Sequence, residues 1–181
     1  MLNAGKILLI VLVGLASASA PALAQLIPNE YGLKAAFVYQ FTQFVEWPAA
    51  TWQEARTLQL CVAEPNPFGS ELEQLVRGES LNGRPLSVKE IFGADEVDGC
   101  HVLYVSAASG DASVLLKVTK GRPILTVGEA DLFLESGGVI AMKDVDGRVR
   151  FEVSTLNAQK GGLQISLPLL NLAFAVRGGL E

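Results

Sequence analysis

Pro123-Ile124-Leu125-Thr126-Val127 is a short, near-continuous apolar run. A strand with one wet face alternates in polarity, whereas a strand buried on both faces, as in a parallel sheet flanked by helices, does not. Working upstream from this run, Asp111 to Lys120 reads as a helix with Gly121 as its C-terminal stop, and Val102-Leu103-Tyr104-Val105 reads as another buried strand. Thr57-Leu58-Gln59-Leu60-Cys61-Val62 is a third strand, and Asn66-Pro67 offers an N-cap and an N1 proline for a helix through about Arg77. Asn82-Gly83 marks a turn before a shorter strand from Pro85 to Glu90. Downstream, the style changes after Gly137-Gly138. Val139 to Lys143 and Arg148 to Val153 flank Asp144-Val145-Asp146-Gly147, which is a hairpin signature. Val149 and Phe151 alternate with Arg150 and Glu152, so the ribbon is expected to have one wet face. A last helix is expected from about Pro168 to Val176. Strand–helix–strand alternation followed by a hairpin predicts an α/β fold: a mostly parallel sheet with helices on both faces and an antiparallel hairpin at the C-terminal edge.

The first helix runs from about Glu30 to Trp47 and is stopped by Pro48. Leu33, Phe37, Phe41, Phe44 and Val45 recur at helical spacing and are expected to face the core, with Tyr39, Gln43 and Glu46 opposite. Ahead of it, Lys6, the apolar run Ile7 to Leu15 and Ala22-Leu23-Ala24 before Gln25 form the three parts of a secretion signal. The apolar run is too short for a bilayer span. Residues 1–24 therefore read as a signal peptide and 25–181 as one exported domain, long enough for a real core. The chain has 14 Lys+Arg against 19 Asp+Glu, and losing Lys6 makes it more acidic still. No basic cluster is evident, so nucleic acid and anionic membranes are poor partners, and proteins or small molecules better ones.

Two cysteines, Cys61 and Cys100, in an exported chain point to a disulfide. If their strands are parallel, end-aligned neighbours, the two lie about 10 Å apart along the strands. A disulfide needs Cα atoms within about 7 Å, so the bond requires an offset register or a shift. The single histidine, His101, stands beside Cys100 and directly before a core strand, and no G-x-S-x-G elbow accompanies it. A structural or solvent-facing role suits it better than a triad. A Cys61–His101 dyad would be abolished by the disulfide. Asp144-x-Asp146-Gly147…Glu152 imitates part of a calcium loop, but its flanks alternate like strands. No other metal, phosphate-loop or dinucleotide motif is present, so neither cofactor nor catalysis is expected. In open parallel sheets, ligands sit beyond the carboxyl ends of the strands. That rim would be Glu64, Asn66, Ser106, Ser109 and Gly128, which read more readily as ordinary turn and cap residues.

The wording of the chain carries more than its periodicities. Glu30-Tyr31-Gly32-Leu33-Lys34-Ala35-Ala36-Phe37 with Phe44-Val45-Glu46-Trp47-Pro48 resembles the opening of the YfiR/HmsC-like family of periplasmic proteins. The likeness continues in order through Leu60-Cys61-Val62, Pro67-Phe68-Gly69, Asn82-Gly83-Arg84-Pro85-Leu86 and Gly99-Cys100-His101-Val102-Leu103-Tyr104-Val105. It extends through Pro123 to Val127, Gly137-Gly138-Val139-Ile140, Gly147 to Val153 and Gly162-Leu163-Gln164-Ile165-Ser166.

The resemblance implies regulation rather than catalysis. It implies a periplasmic repressor that binds the periplasmic sensor region of an inner-membrane diguanylate cyclase, lowering cyclic-di-GMP, exopolysaccharide and biofilm formation. It further implies a homodimer, and release by an outer-membrane peptidoglycan-binding lipoprotein. On the family's Val-Arg-Phe-Glu segment, Phe151 and Glu152 become the partner-binding candidates. The chain departs from the family nearby, with Ala141 and Ser154 where an asparagine is common. The competing reading is a periplasmic small-ligand-binding protein with a different output.

Overall fold

The apolar runs become the centre of one eight-stranded sheet. The computed structural model describes residues 30–178, so the signal peptide and its cleavage site lie outside the described residues. In chain order, α1 (Glu30–Thr42) leads through β1 (Val45–Glu46) and α2 (Ala49–Glu54) to β2 (Leu58–Ala63). Next come α3 (Glu71–Val76), β3 (Ser80–Leu81), β4 (Arg84–Ile91), a 3-10 turn (Ala94–Glu96), β5 (Val102–Val105), α4 (Ala112–Thr119) and β6 (Leu125–Gly128). The hairpin strands β7 (Ile140–Val145) and β8 (Arg148–Ser154) follow, then α5 (Thr155–Lys160), β9 (Gln164–Ile165), α6 (Leu167–Leu172) and β10 (Ala175–Arg177). The sheet order is β10-β8-β7-β6-β5-β2-β4-β3. All neighbours are parallel except β7–β8 and β3–β4.

The near-continuous apolar character of β2, β5 and β6 follows from burial on both faces. Leu60, Val62, Val102, Tyr104, Leu125 and Val127 point into one core with α1 and α3. Cys61, Ala63, Leu103 and Val105 point into a second core with α4. The period of two along each strand therefore sorts side chains between two apolar layers rather than between core and water. α4 has the caps its sequence calls for: the Asp111 carboxylate accepts from Ser113 N–H, and Gly121 takes φ +73 beyond the end. The β7–β8 turn places Asp146 and Gly147 at φ +54 and +71, the signature of a type I′ hairpin.

Several boundaries differ from expectation. α1 ends at Thr42, not Trp47, because Val45 and Glu46 pair with Ile165 and Gln164 in a separate two-stranded sheet. Its buried face is Lys34, Ala35, Val38, Phe41 and Thr42, rotated from the expected one, and Leu33 is exposed. Asn66 caps a turn by accepting from Phe68 N–H, and α3 begins only at Glu71, because Gly69 at φ +52 breaks the helical path. The last helix stops at Leu172, and Ala175–Arg177 instead add a parallel strand outside the hairpin. α5 is an unanticipated helix, capped where Ser154 Oγ accepts from Asn157 N–H.

The Cys61–Cys100 disulfide is present, with Cα atoms 5.7 Å apart. The register is not offset: Leu60 faces Val102. The separation expected from extended strands does not arise because the chain before β5 is a turn, with Cys100 N–H donating to Val97 O and Gly99 at φ +84. That turn carries Cys100 back over Cys61.

Candidate functional site

The rim residues do gather at the carboxyl ends of β2, β5 and β6, since Glu64, Ser106 and Gly128 follow or end those strands. Their polar atoms are largely spent on one another. Ser109 Oγ donates to Ala63 O at 3.2 Å and lies 2.8 Å from Ser106 Oγ. Glu64 accepts from Asn66 N–H, and the Asn66 amide donates to Gly69 O and Glu90. Gly128 has a packing reason: a Cβ there would strike the Phe133 ring, which also occupies the place of a Cβ on Gly138. The rim thus holds its loops together by the turn and cap bonds that the sequence also allowed.

Just beyond Gly128 lies a charged cluster that sequence reasoning missed. Lys34, only 4 % exposed, donates to Glu129 at 2.7 Å and pairs with Glu30 at 2.5 Å. The Tyr104 hydroxyl donates to the other Glu129 oxygen. The Lys34 ammonium also lies 4.8 Å from the centre of the Tyr31 ring. Burial pulls the Lys34 ammonium down, but the hydrogen bonds and charges of Glu129 and Glu30 outweigh it and hold its pKa above the ordinary lysine value. A signal for this was present in the i,i+4 spacing of Glu30 and Lys34. The position of Glu129 directly after a core strand was another. The cluster pins the first turn of α1 to the carboxyl end of β6, and its members are bonded to one another rather than to an open cavity.

His101 faces inward enough for its Nδ1 to accept Gln59 N–H at 3.1 Å. Burial lowers its pKa, against a smaller opposing hydrogen bond with the Gly99 backbone. Because Nδ1 is an acceptor, the ring is held neutral and acts as a backbone brace between β2 and the approach to β5. Both thiols are consumed in the disulfide, so the Cys61–His101 dyad does not exist in this structure. Asp144 accepts Gly147 N–H within the hairpin turn, which is a turn role rather than a calcium loop. Among the described residues, no group of three or more His, Cys, Asp or Glu side chains is placed to hold a metal.

The hairpin presents a different picture from its sequence. Phe151 is 5 % exposed and packs on Phe37 and Phe41, with ring centres 5.9 and 5.0 Å away. Glu152, expected on a wet face, is 7 % exposed. It is buried because two cations meet it: Lys143 from β7 at 3.1 Å and Arg177 from β10 at 3.0 Å. Arg177 also pairs with Glu135. Phe151 and Glu152 point to opposite faces of the sheet: the Lys143–Arg177–Glu135 chain of charges lies on the Glu152 side, and the last segment runs along the edge beside β8. Leu167, Leu172 and Phe174 are each 60 % exposed or more. Phe174 N–H donates to Phe151 O, which joins this segment to β8.

The family model described as YfiR/HmsC-like matches residues 31–174, most of the chain. The chain belongs to the YfiR/HmsC-like family. Comparison with curated proteins finds no match. Among solved structures, the chain is similar to a conserved domain protein from Vibrio cholerae O1 biovar El Tor strain N16961, at 10% identity and a TM-score of 0.45. That likeness covers 82% of this chain and 60% of the other. Within the YfiR/HmsC-like match fall the disulfide, the Lys34–Glu129–Tyr104 contacts, the rim and the hairpin. Glu30, Tyr31 and Lys34, which carry the opening words of the family resemblance, also belong to the cluster around the buried Lys34 ammonium.

Proposed function

We propose that the chain is a periplasmic regulatory binding protein that represses an inner-membrane diguanylate cyclase through its periplasmic sensor region. In this reading, export removes residues 1–24, and 25–181 act as a single regulatory domain and as a homodimer. The single observation that carries it is membership of the YfiR/HmsC-like family across residues 31–174, a family linked to regulation of such cyclases. No described helix is long and apolar enough to cross a membrane, which suits a protein that acts on a membrane enzyme from outside the bilayer. An outer-membrane peptidoglycan-binding lipoprotein would be the natural competitor for the same surface.

The hairpin and last segment are the proposed contact surface. Phe151 supports it from beneath, while Glu152 fixes Lys143 and Arg177 in place for a partner. Exposed Leu172 and Phe174 supply the apolar anchor that protein interfaces need at their centre. Repression then works as a population shift: the chain binds one conformation of the sensor region better than the other. The test is association of purified mature chain with the isolated periplasmic region of the cyclase. Saturable binding, weakened about tenfold or more by Phe174→Ala and by Glu152→Gln, is expected. Equal affinity in both variants would remove this surface, and no binding at all would remove the reading.

The alternative, a small-ligand-binding protein with an output other than a cyclase, draws on the cavities of the same fold. A dose-dependent rise in thermal stability with a periplasmic solute, together with no cyclase association, would favour it.

A further inference from the structure

We propose that the cavity between the C-terminal end of α4 and α5 binds a small dianionic oxyanion, phosphate or a phosphate monoester. The cavity has a volume of about 330 Å³. It lies at the amino end of β6, opposite the rim, since Ile124 and Thr126 line it. Lys117, Lys120, Arg122 and Lys160 all line it, and Glu135 is the one acidic residue among its described lining. The whole chain holds 14 basic residues against 19 acidic ones, so four of those cations around one concavity concentrate positive potential on an otherwise acidic protein.

The cations remain available. Arg122 pairs with Asp98, whose side chain is largely in water, a contact of the exposed kind that is easily exchanged. Glu135 is drawn toward Arg177 on the other side. A helix end would normally oppose an anion through its free carbonyls. Here two are covered, because Leu116 O accepts the Thr119 hydroxyl and Thr119 O accepts Arg122 N–H. The buried aliphatic wall of Leu116, Ile124 and Val139 would take the organic part of a monoester.

The site has a route to the hairpin. Glu135 lines the cavity and pairs with Arg177, and Arg177 pairs with Glu152. A bound dianion repels the Glu135 carboxylate and so acts on the charge chain of the proposed contact surface. This regulatory consequence rests on the reading of the hairpin as a partner surface; the anion site itself does not.

The test is amide NMR of the purified mature chain, titrated with sodium phosphate and with glycerol phosphate at fixed ionic strength, with sodium chloride as control. Saturable shifts are expected at residues 117–122 and 160–161 with either phosphate. The Lys117→Gln/Lys160→Gln variant is expected to bind at least tenfold more weakly, with an unliganded spectrum unchanged elsewhere. Lys120→Gln alone should weaken binding in the same direction and serves if the double variant does not fold. No saturable shift, equal shifts from chloride, or unchanged affinity in the variants would overturn the site. No cyclase is present in this experiment, so its failure leaves the proposed repression standing, and loss of cyclase binding leaves the anion site standing.

Discussion

Lys34 is the residue whose environment is most unlike its sequence. A lysine that is almost fully buried survives only if its charge is matched, and Glu129 supplies the match at 2.7 Å. Removing Glu129 leaves that ammonium with the exposed Glu30 carboxylate and the Tyr31 ring, and strips the Tyr104 hydroxyl of its acceptor. Glu129→Ala is therefore expected to cost about 3–5 kcal/mol in urea unfolding, whereas replacing both partners, as Lys34→Met with Glu129→Leu, should cost clearly less. A single-variant loss below about 1 kcal/mol would refute the role of the pair. His101 makes a second prediction, with a definite sign. Its pKa is lowered in the folded state, by burial first, and its Nδ1 must stay unprotonated to accept Gln59 N–H. Above the ordinary histidine value of about 6.5 both states are neutral and the contribution is complete. As pH falls below that value the unfolded chain takes up the proton first, so stability declines until the folded-state pKa is passed. The urea midpoint should drop between pH 8 and pH 5.5 by more in the wild-type chain than in His101→Gln. The i,i+4 spacing of Glu30 and Lys34 is local, but the partners that decide both environments are distant: Glu129 is 95 residues from Lys34, and Gln59 is 42 from His101.

At the scale of elements, what could be read was whatever the local chain determines. β2, β5 and β6 announce themselves as apolar runs, α4 by its Asp111 cap and Gly121 stop, and the hairpin by Asp146-Gly147. What could not be read depends on distant pairing. Nothing near Val45 reveals that it will meet Ile165, so the local pattern alone carries α1 past its end at Thr42. Likewise Ala175–Arg177 continue a helical pattern until β8 offers them a ladder. The same strand explains Glu152: alternation puts it toward water, but Arg177 arriving on β10 closes over it. The rim was legible as a place, and the bonds among Ser106, Ser109 and Ala63 then explain why those residues stand there. The disulfide belongs to this scale as well, because it ties the turn before β5 to β2 across 39 residues. Closing a loop of that length stabilises the fold by about 3–4 kcal/mol in the chain-entropy model. Cys61→Ser with Cys100→Ser should lower the urea midpoint accordingly; an unchanged midpoint would mean that the bridge constrains nothing in the unfolded chain.

For the molecule as a whole, one sheet separates two apolar cores and carries distinct polar features at different ends. The Lys34 cluster and rim occupy the carboxyl end of the parallel strands, the cation-lined cavity the opposite end of β6, and the hairpin with β10 one edge of the sheet. Membership of the YfiR/HmsC-like family gives this arrangement its proposed purpose: an exported domain that holds a membrane cyclase in its quiet state. The most direct measurement is intracellular cyclic-di-GMP in the parent strain, in a strain lacking this gene, and in that strain with the gene restored. A rise on deletion that is reversed by the wild-type chain, and poorly reversed by Phe174→Ala exported at the same level, is the predicted result. Unchanged cyclic-di-GMP on deletion would contradict the account.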